Sequence, residues 1–302
     1  MNIEAQKTKG KIDEGEKYIG WYVVAFIDLL GQQDKLRRIT ALPNVENEEE
    51  IAEFKSKVGE FYKPLYALQT FFNDSIIPFM KESIEQSTLT RSGRELLEQF
   101  RSTPIFYRHF SDSLIVYIPL SNDIGNFQCR AVYSVLAAAA ITFLSCLTHG
   151  WTIRGGIELG LAMDIEENEI YGPALARAYN LESRIAHYPR IVIGEELIRY
   201  LQQVAGQNTS TGEGRAHAGI AARSLRLISV DDDGCSFLDW LGKDIRTTFQ
   251  HTEIVQSAYN FIIQESIKHR EDRNSKLGFR YTLLRNYVES RLPDWGLNLQ
   301  SE

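Results

Sequence analysis

Apolar residues in this chain gather into continuous runs separated by amphipathic stretches, and the two periods together predict most of the elements. Residues 18–30 form one such run, β-branched and aromatic, which predicts a buried strand. Gly31 breaks it, and a polar helical stretch is expected to begin near Gln32. Residues 48–80 predict a helix, with Glu48-Glu49-Glu50 suited to the positive end of the dipole and Phe61, Leu65 and Leu68 following. Residues 84–102 are polar and read as an insertion with its own short helix. Over 104–120 a hairpin is expected, with Ile105-Phe106-Tyr107, a turn from His109 to Ser111, and a second strand from Leu114 to Ile118. A long helix follows over 126–148. Residues 151–160 then form a Gly-rich strand that lets another backbone approach closely. Residues 171–183 predict a helix entered through Gly172-Pro173, 190–194 a short strand, and 195–204 a helix. The Gly/Ser/Thr-rich stretch 205–218 reads as a mobile loop. Asp231-Asp232-Asp233-Gly234 is a turn joining strands at 225–230 and 235–240. Amphipathic helix covers 251–291, with Val255, Tyr259 and Ile262 as core or dimer-packing residues. This order predicts an α+β fold, an antiparallel sheet with helices on one face.

Composition narrows the class. The 302 residues are 43% hydrophobic and 24% charged, so the chain can bury a globular core of one elaborated domain or two. Net charge is −7 with both signs interspersed, which gives no electrostatic footprint for nucleic acid or an anionic membrane. Cys129, Cys146 and Cys235 are widely spaced without a metal pattern, and a reduced cytoplasmic compartment is the simplest reading. The polar start of the chain lacks the apolar stretch of a signal peptide. Residues 131–147 are apolar for about 17 positions, the short limit for a bilayer span, and read as a core helix. The expected organisation is a flexible tail over 1–17, a catalytic domain over 18–205, and a C-terminal hairpin and helices over 206–302 packed on the same domain.

Two aspartates stand out against this pattern. Asp28 ends the run Trp21-Tyr22-Val23-Val24-Ala25-Phe26-Ile27, and Asp112 opens Ser113-Leu114-Ile115-Val116-Tyr117-Ile118. A carboxylate beside a buried strand costs several kcal/mol unless something positive compensates it. Neither run carries a lysine or arginine, so a divalent cation is the compensating charge these residues suggest. Carboxylates with a phosphate-bearing substrate are the usual setting of Mg²⁺ or Mn²⁺. The pair points to phosphoryl or nucleotidyl chemistry. The plainer alternative is that each caps a strand end or pairs with an arginine. Asp231, Asp232 and Asp233 precede a glycine in a hairpin and are turn-formers before they are ligands.

The element order and these residues resemble the class III nucleotidyl cyclase catalytic domain. The resemblance rests on Phe26-Ile27-Asp28-Leu29-Leu30-Gly31, Phe110-Ser111-Asp112-Ser113, Arg154-Gly155-Gly156-Ile157, the helix entry Gly172-Pro173, and the strand Arg190-Ile191-Val192-Ile193. It covers roughly residues 18–200. The wording is nearest to the bacterial anti-phage pyrimidine cyclases of the Pycsar group, which share the FSDS hairpin and the DDDG turn before a long C-terminal helix. The resemblance implies a ferredoxin-like βαββαβ core, a homodimer with its sites at the interface, and a cyclic pyrimidine nucleotide as product. That product would be read by a separate cyclic-nucleotide-binding effector.

Further implications concern individual residues. Asp28, Asp112 and the Leu29 carbonyl would hold two Mn²⁺ or Mg²⁺ ions per site. Arg108 and Glu169 fall at the family's base-reading registers, and Arg154 would reach a phosphate across the interface or stand as an edge-strand charge. The helix departs from the family: Ala176 and Asn180 occupy the positions of the transition-state Asn and Arg. Arg177 or Arg184 is the expected substitute cation. A donor-only guanidinium suits the acceptor oxygens of uracil, so UTP is the expected substrate, with CTP the alternative. A catalytically silent nucleotide-binding regulator and a palm-like nucleotidyltransferase are the rival classes.

Overall fold

The run at 18–30 is the centre of the sheet. A computed structural model describes residues 11–12, 17–32, 37, 39–81, 103–120, 129–165, 169–208 and 210–298. Its strands are β1 (Lys11–Ile12), β2 (Lys17–Leu29), β3 (Phe106–Phe110), β4 (Ser113–Pro119), β5 (Ile153–Ile165), β6 (Glu169–Tyr171), β7 (Ile191–Ile193), β8 (Ile228–Val230) and β9 (Ser236–Leu238). They form a sheet of order β3-β4-β2-β5-β7-β9-β8, with β1 on β2 and β6 on β5. Every pairing is antiparallel except β5 with β7. The α+β expectation therefore holds.

The helices are α1 (Glu48–Lys81), α2 (Cys129–Thr148), α3 (Pro173–Asn180) with a π-helical turn at Leu181–Ile185, α4 (Glu195–Ala205), α5 (Gly212–Arg226), α6 (Lys243–Thr248), α7 (Thr252–Glu271) and α8 (Ser275–Arg291). Strand β2 is apolar at every position from 21 to 27 because both of its faces are covered. Val23, Ala25, Ile27 and Leu29 join the larger core with α1, α2, α7 and α8, while Tyr22, Val24 and Phe26 join a smaller core under α3. The expectation of helices on one face fails here. Gly156 leaves the room for α3: a Cβ at that position would collide with the Ala178 carbonyl and the Leu181 side chain. The close backbone approach read from the Gly-rich strand is thus a helix lying on it.

Helix α2 is the one described segment long and apolar enough to cross a membrane, and 83% of its apolar window is buried inside the protein. Val255, Tyr259 and Ile262 are buried in the same core. The 205–218 stretch corrects another expectation, since α5 starts at Gly212. Thr211 caps it by accepting the Gly214 amide at 3.1 Å, and Ala216, Ala218, Ala221 and Ala222 supply helix propensity that the glycines obscured. The hairpin turn is tighter than expected, lying at Ser111-Asp112. Within the expected tail, Lys11 pairs with Tyr18 and Ile12 with Lys17. The expected insertion at 84–102, the helix start near Gln32 and the beginning of the 126–148 helix fall at least partly outside the described residues.

Candidate active site

Antiparallel register brings the aspartates together. Asp28 lies opposite Ser113 on β4 and opposite Arg154 on β5. The Leu29 amide donates to the Asp112 carbonyl at 3.2 Å, which ties the end of β2 to the hairpin turn. Ser111 holds that turn with φ +58°, a region non-glycine residues seldom adopt. Both aspartates are half-buried. The Ser113 hydroxyl donates to Asp28 Oδ1 at 2.8 Å.

Burial pushes the Asp28 carboxyl up to about 7. The Ser113 hydrogen bond opposes this, the charges of Asp112 and Glu182 add to it, and Arg154 pulls it back. Three acidic groups therefore bear on one spot, and their nearest cation is already committed. Arg154 Nε donates to Glu182 Oε1 at 2.7 Å, and Glu182 is only 3% exposed. Glu182 sits on the π-helical turn after α3, so the helix docked over Gly156 delivers it. Strand β5 lies between β2 and β7, so Arg154 is not an edge-strand charge.

The residues fit a divalent cation that shares its coordination with a substrate. Burial and the neighbouring acids disfavour charge on Asp28, and a cation beside it would relieve that cost. Among the described residues no three His, Cys, Asp or Glu side chains converge as a complete metal cage. Two carboxylates with substrate phosphates are what Mg²⁺ uses in preference to an all-protein cage.

A second polar cluster lies on the same face. Asp164, near the end of β5, interacts with Arg108, Tyr22 and Tyr117. Burial raises the Asp164 carboxyl, Arg108 opposes the rise, and one Asp164 oxygen is enclosed with no hydrogen-bond partner. Tyr117 and Tyr22 are both pushed up to about 12, first by burial and then by Asp164. Phe106 stacks on Tyr117 with ring centres 5.0 Å apart.

Arg108 is half-buried on β3, and its Nη1 donates to the Tyr107 carbonyl. Glu169 is exposed on β6 opposite Ile165, and Arg108 acts on Asp164. Sequence reasoning missed Asp164, Glu182 and Ser113; only Ser113 carried a local signal, as the polar residue following Asp112. Arg177 and Arg184 are exposed, and neither is among the charges acting on Asp28. Arg177 acts on Glu158, whose buried carboxylate caps α4 by accepting the Leu197 amide at 3.0 Å. The turn aspartates have a structural partner: Asp231 and Asp233 both accept from Arg190, which is 1% exposed. The 570 Å³ surface cavity lined by Lys243, Arg246, Thr247, Gln250, Thr252 and Trp295 includes none of the sheet residues above.

No protein-family model matches this chain, and no curated protein sequence matches it.

Proposed function

We propose that the protein is a class III-type nucleotidyl cyclase with a ferredoxin-like core that converts a pyrimidine nucleoside triphosphate, UTP before CTP, into its 3′,5′-cyclic monophosphate and pyrophosphate. The observation that carries this reading is the convergence of Asp28 and Asp112 at one end of a sheet connected β-α-β-β-α-β and ordered β3-β4-β2-β5. Such a site suits the attack of the ribose 3′-hydroxyl on the α-phosphate. One O–P bond forms, the bond to pyrophosphate breaks, and the hydroxyl proton is released.

Asp28, Asp112 and the Leu29 carbonyl would hold Mn²⁺ or Mg²⁺, which supplies charge neutralisation and a more acidic hydroxyl. Ser113 fixes one oxygen of Asp28. Glu182 holds Arg154 through Nε and Nη2, and Arg154 lies opposite Asp28 on the neighbouring strand. Arg108 and Asp164 offer a donor and an acceptor beside aromatic faces, which is what reading the edge of a stacked base needs. We place the complete site in a cytoplasmic homodimer, where one protomer supplies the metal aspartates and its partner the base-reading residues. The cyclic product would pass to a separate effector in anti-phage defence.

Exposure of Ala176 and Asn180 on α3 favours a second reading, a cyclase-like regulator that binds nucleotide without turnover. Substitution separates the two. Asp28→Ala and Asp112→Ala are each expected to abolish product formation while the protein stays folded and dimeric. More than a few per cent of wild-type activity in either variant places the metal site elsewhere.

A further inference from the structure

The C-terminal helix reaches the aspartate end of the sheet. Tyr281 on α8 is 7% exposed, and its hydroxyl interacts with the Thr152 side chain. Thr152 also accepts the Leu30 amide at 2.9 Å through its carbonyl, so α8 docks where the chain leaves Asp28 and enters β5. The residue before Tyr281 is Arg280. It is half-buried, and among the described residues it has no hydrogen bond and no carboxylate partner. The charge that acts on it is like-signed: burial first, and then Arg154, disfavour the charged guanidinium.

That arrangement is unfavourable in a protein that binds nothing there. A guanidinium carries five donors and no acceptor, and enclosing it beside a second guanidinium costs free energy unless an anion joins them. Glu182 compensates Arg154 and leaves Arg280 uncompensated. We propose that Arg280, carried by α8, joins Arg154 in a two-guanidinium clamp for the polyphosphate of the substrate beside Asp28 and Asp112. Arg154 keeps its Nη1 donors beyond the Glu182 contact and Arg280 its whole fork, which suits phosphate oxygens and leaves metal-facing oxygens for the aspartates. The clamp makes the 251–291 region part of the binding machinery rather than packing alone. This inference rests on the reading that a nucleoside triphosphate binds at the aspartates, but it concerns the phosphates only.

Its test uses inorganic tripolyphosphate with Mn²⁺, measured by titration calorimetry on the full-length protein at moderate salt. Wild-type protein is expected to bind, Arg280→Ala to bind at least tenfold more weakly, and Arg199→Ala, which removes an exposed charge on α4, to bind as wild type. Arg280→Gln keeps the volume and polarity of the side chain and is expected to show the same loss, which separates lost charge from lost folding. Arg280→Lys is expected to recover part of the affinity. Unchanged tripolyphosphate binding in both Arg280→Ala and Arg280→Gln overturns the proposal, as does a wild-type protein that binds none. Turnover of a nucleoside triphosphate without such binding loss would retain the cyclase reading and discard the clamp. Arg280-dependent tripolyphosphate binding without turnover of any nucleotide would retain the clamp and discard the cyclase.

Discussion

At the scale of single residues, the proposed metal-binding role of Asp28 stands against its cost to stability. Its carboxyl is raised from an ordinary 3.8 to about 7, so the folded protein binds this proton more tightly than the unfolded chain does. Linkage then has one sign: the group is least costly below 3.8 and destabilises progressively as pH rises through about 7. The full shift corresponds to on the order of 4 kcal/mol. Asp28→Asn removes the charge, keeps the shape, and retains an oxygen to accept from Ser113. Without metal at pH 8, Asp28→Asn is expected to melt several degrees higher than wild type, with the gap narrowing as pH falls below about 7 and closing below about 3.8. Saturating Mn²⁺ should stabilise wild type and leave the variant unmoved. A variant no more stable than wild type at pH 8 would mean that the carboxylate is compensated within the chain. Asp28 and Asp112 were legible in the sequence because a charge at the border of an apolar run is locally anomalous. Glu182 was not, because its meaning comes from Arg154, 28 positions away.

At the scale of elements, strands were easier to read than helix boundaries. A buried strand announces itself by an unbroken apolar run, as β2, β4 and β7 do. Helix α5 was hidden because its three glycines and polar residues outweighed its alanines, although its Thr211 cap was in plain view. The placement of α3 depended on Gly156, read correctly as a close approach without indicating what approached. Gly156→Ala puts a methyl group against backbone atoms of Ala178 and Glu182, which cannot turn aside as a side chain would. We expect it to destabilise by about 1–3 kcal/mol in chemical denaturation. Because Glu182 rides on the displaced turn, product formation should fall as well. Gly212→Ala, which meets nothing within 4 Å at the start of α5, is the matched control and should be neutral or slightly stabilising. Equal denaturation midpoints for the two variants would show that α3 is not wedged against β5.

At the scale of the whole molecule, one sheet face holds both polar centres, the Asp28–Asp112 pair and the Arg108–Asp164 cluster. The C-terminal half contributes through packing and through staples such as Asp239, which accepts from Tyr287 at 2.7 Å and from Arg291 Nη2 at 2.7 Å. These long-range pairings were not legible in the sequence, since no local pattern says that a helix near the end returns to the second half of the sheet. The central claim is chemical, and the most direct measurement is chemical too. Purified protein is incubated with Mn²⁺ and each of ATP, GTP, CTP and UTP, and the products are identified by mass. The account predicts 3′,5′-cyclic UMP and pyrophosphate in equal amounts from UTP, with lesser turnover of CTP. No cyclic nucleotide from any of the four, or linear oligonucleotide in its place, would contradict it.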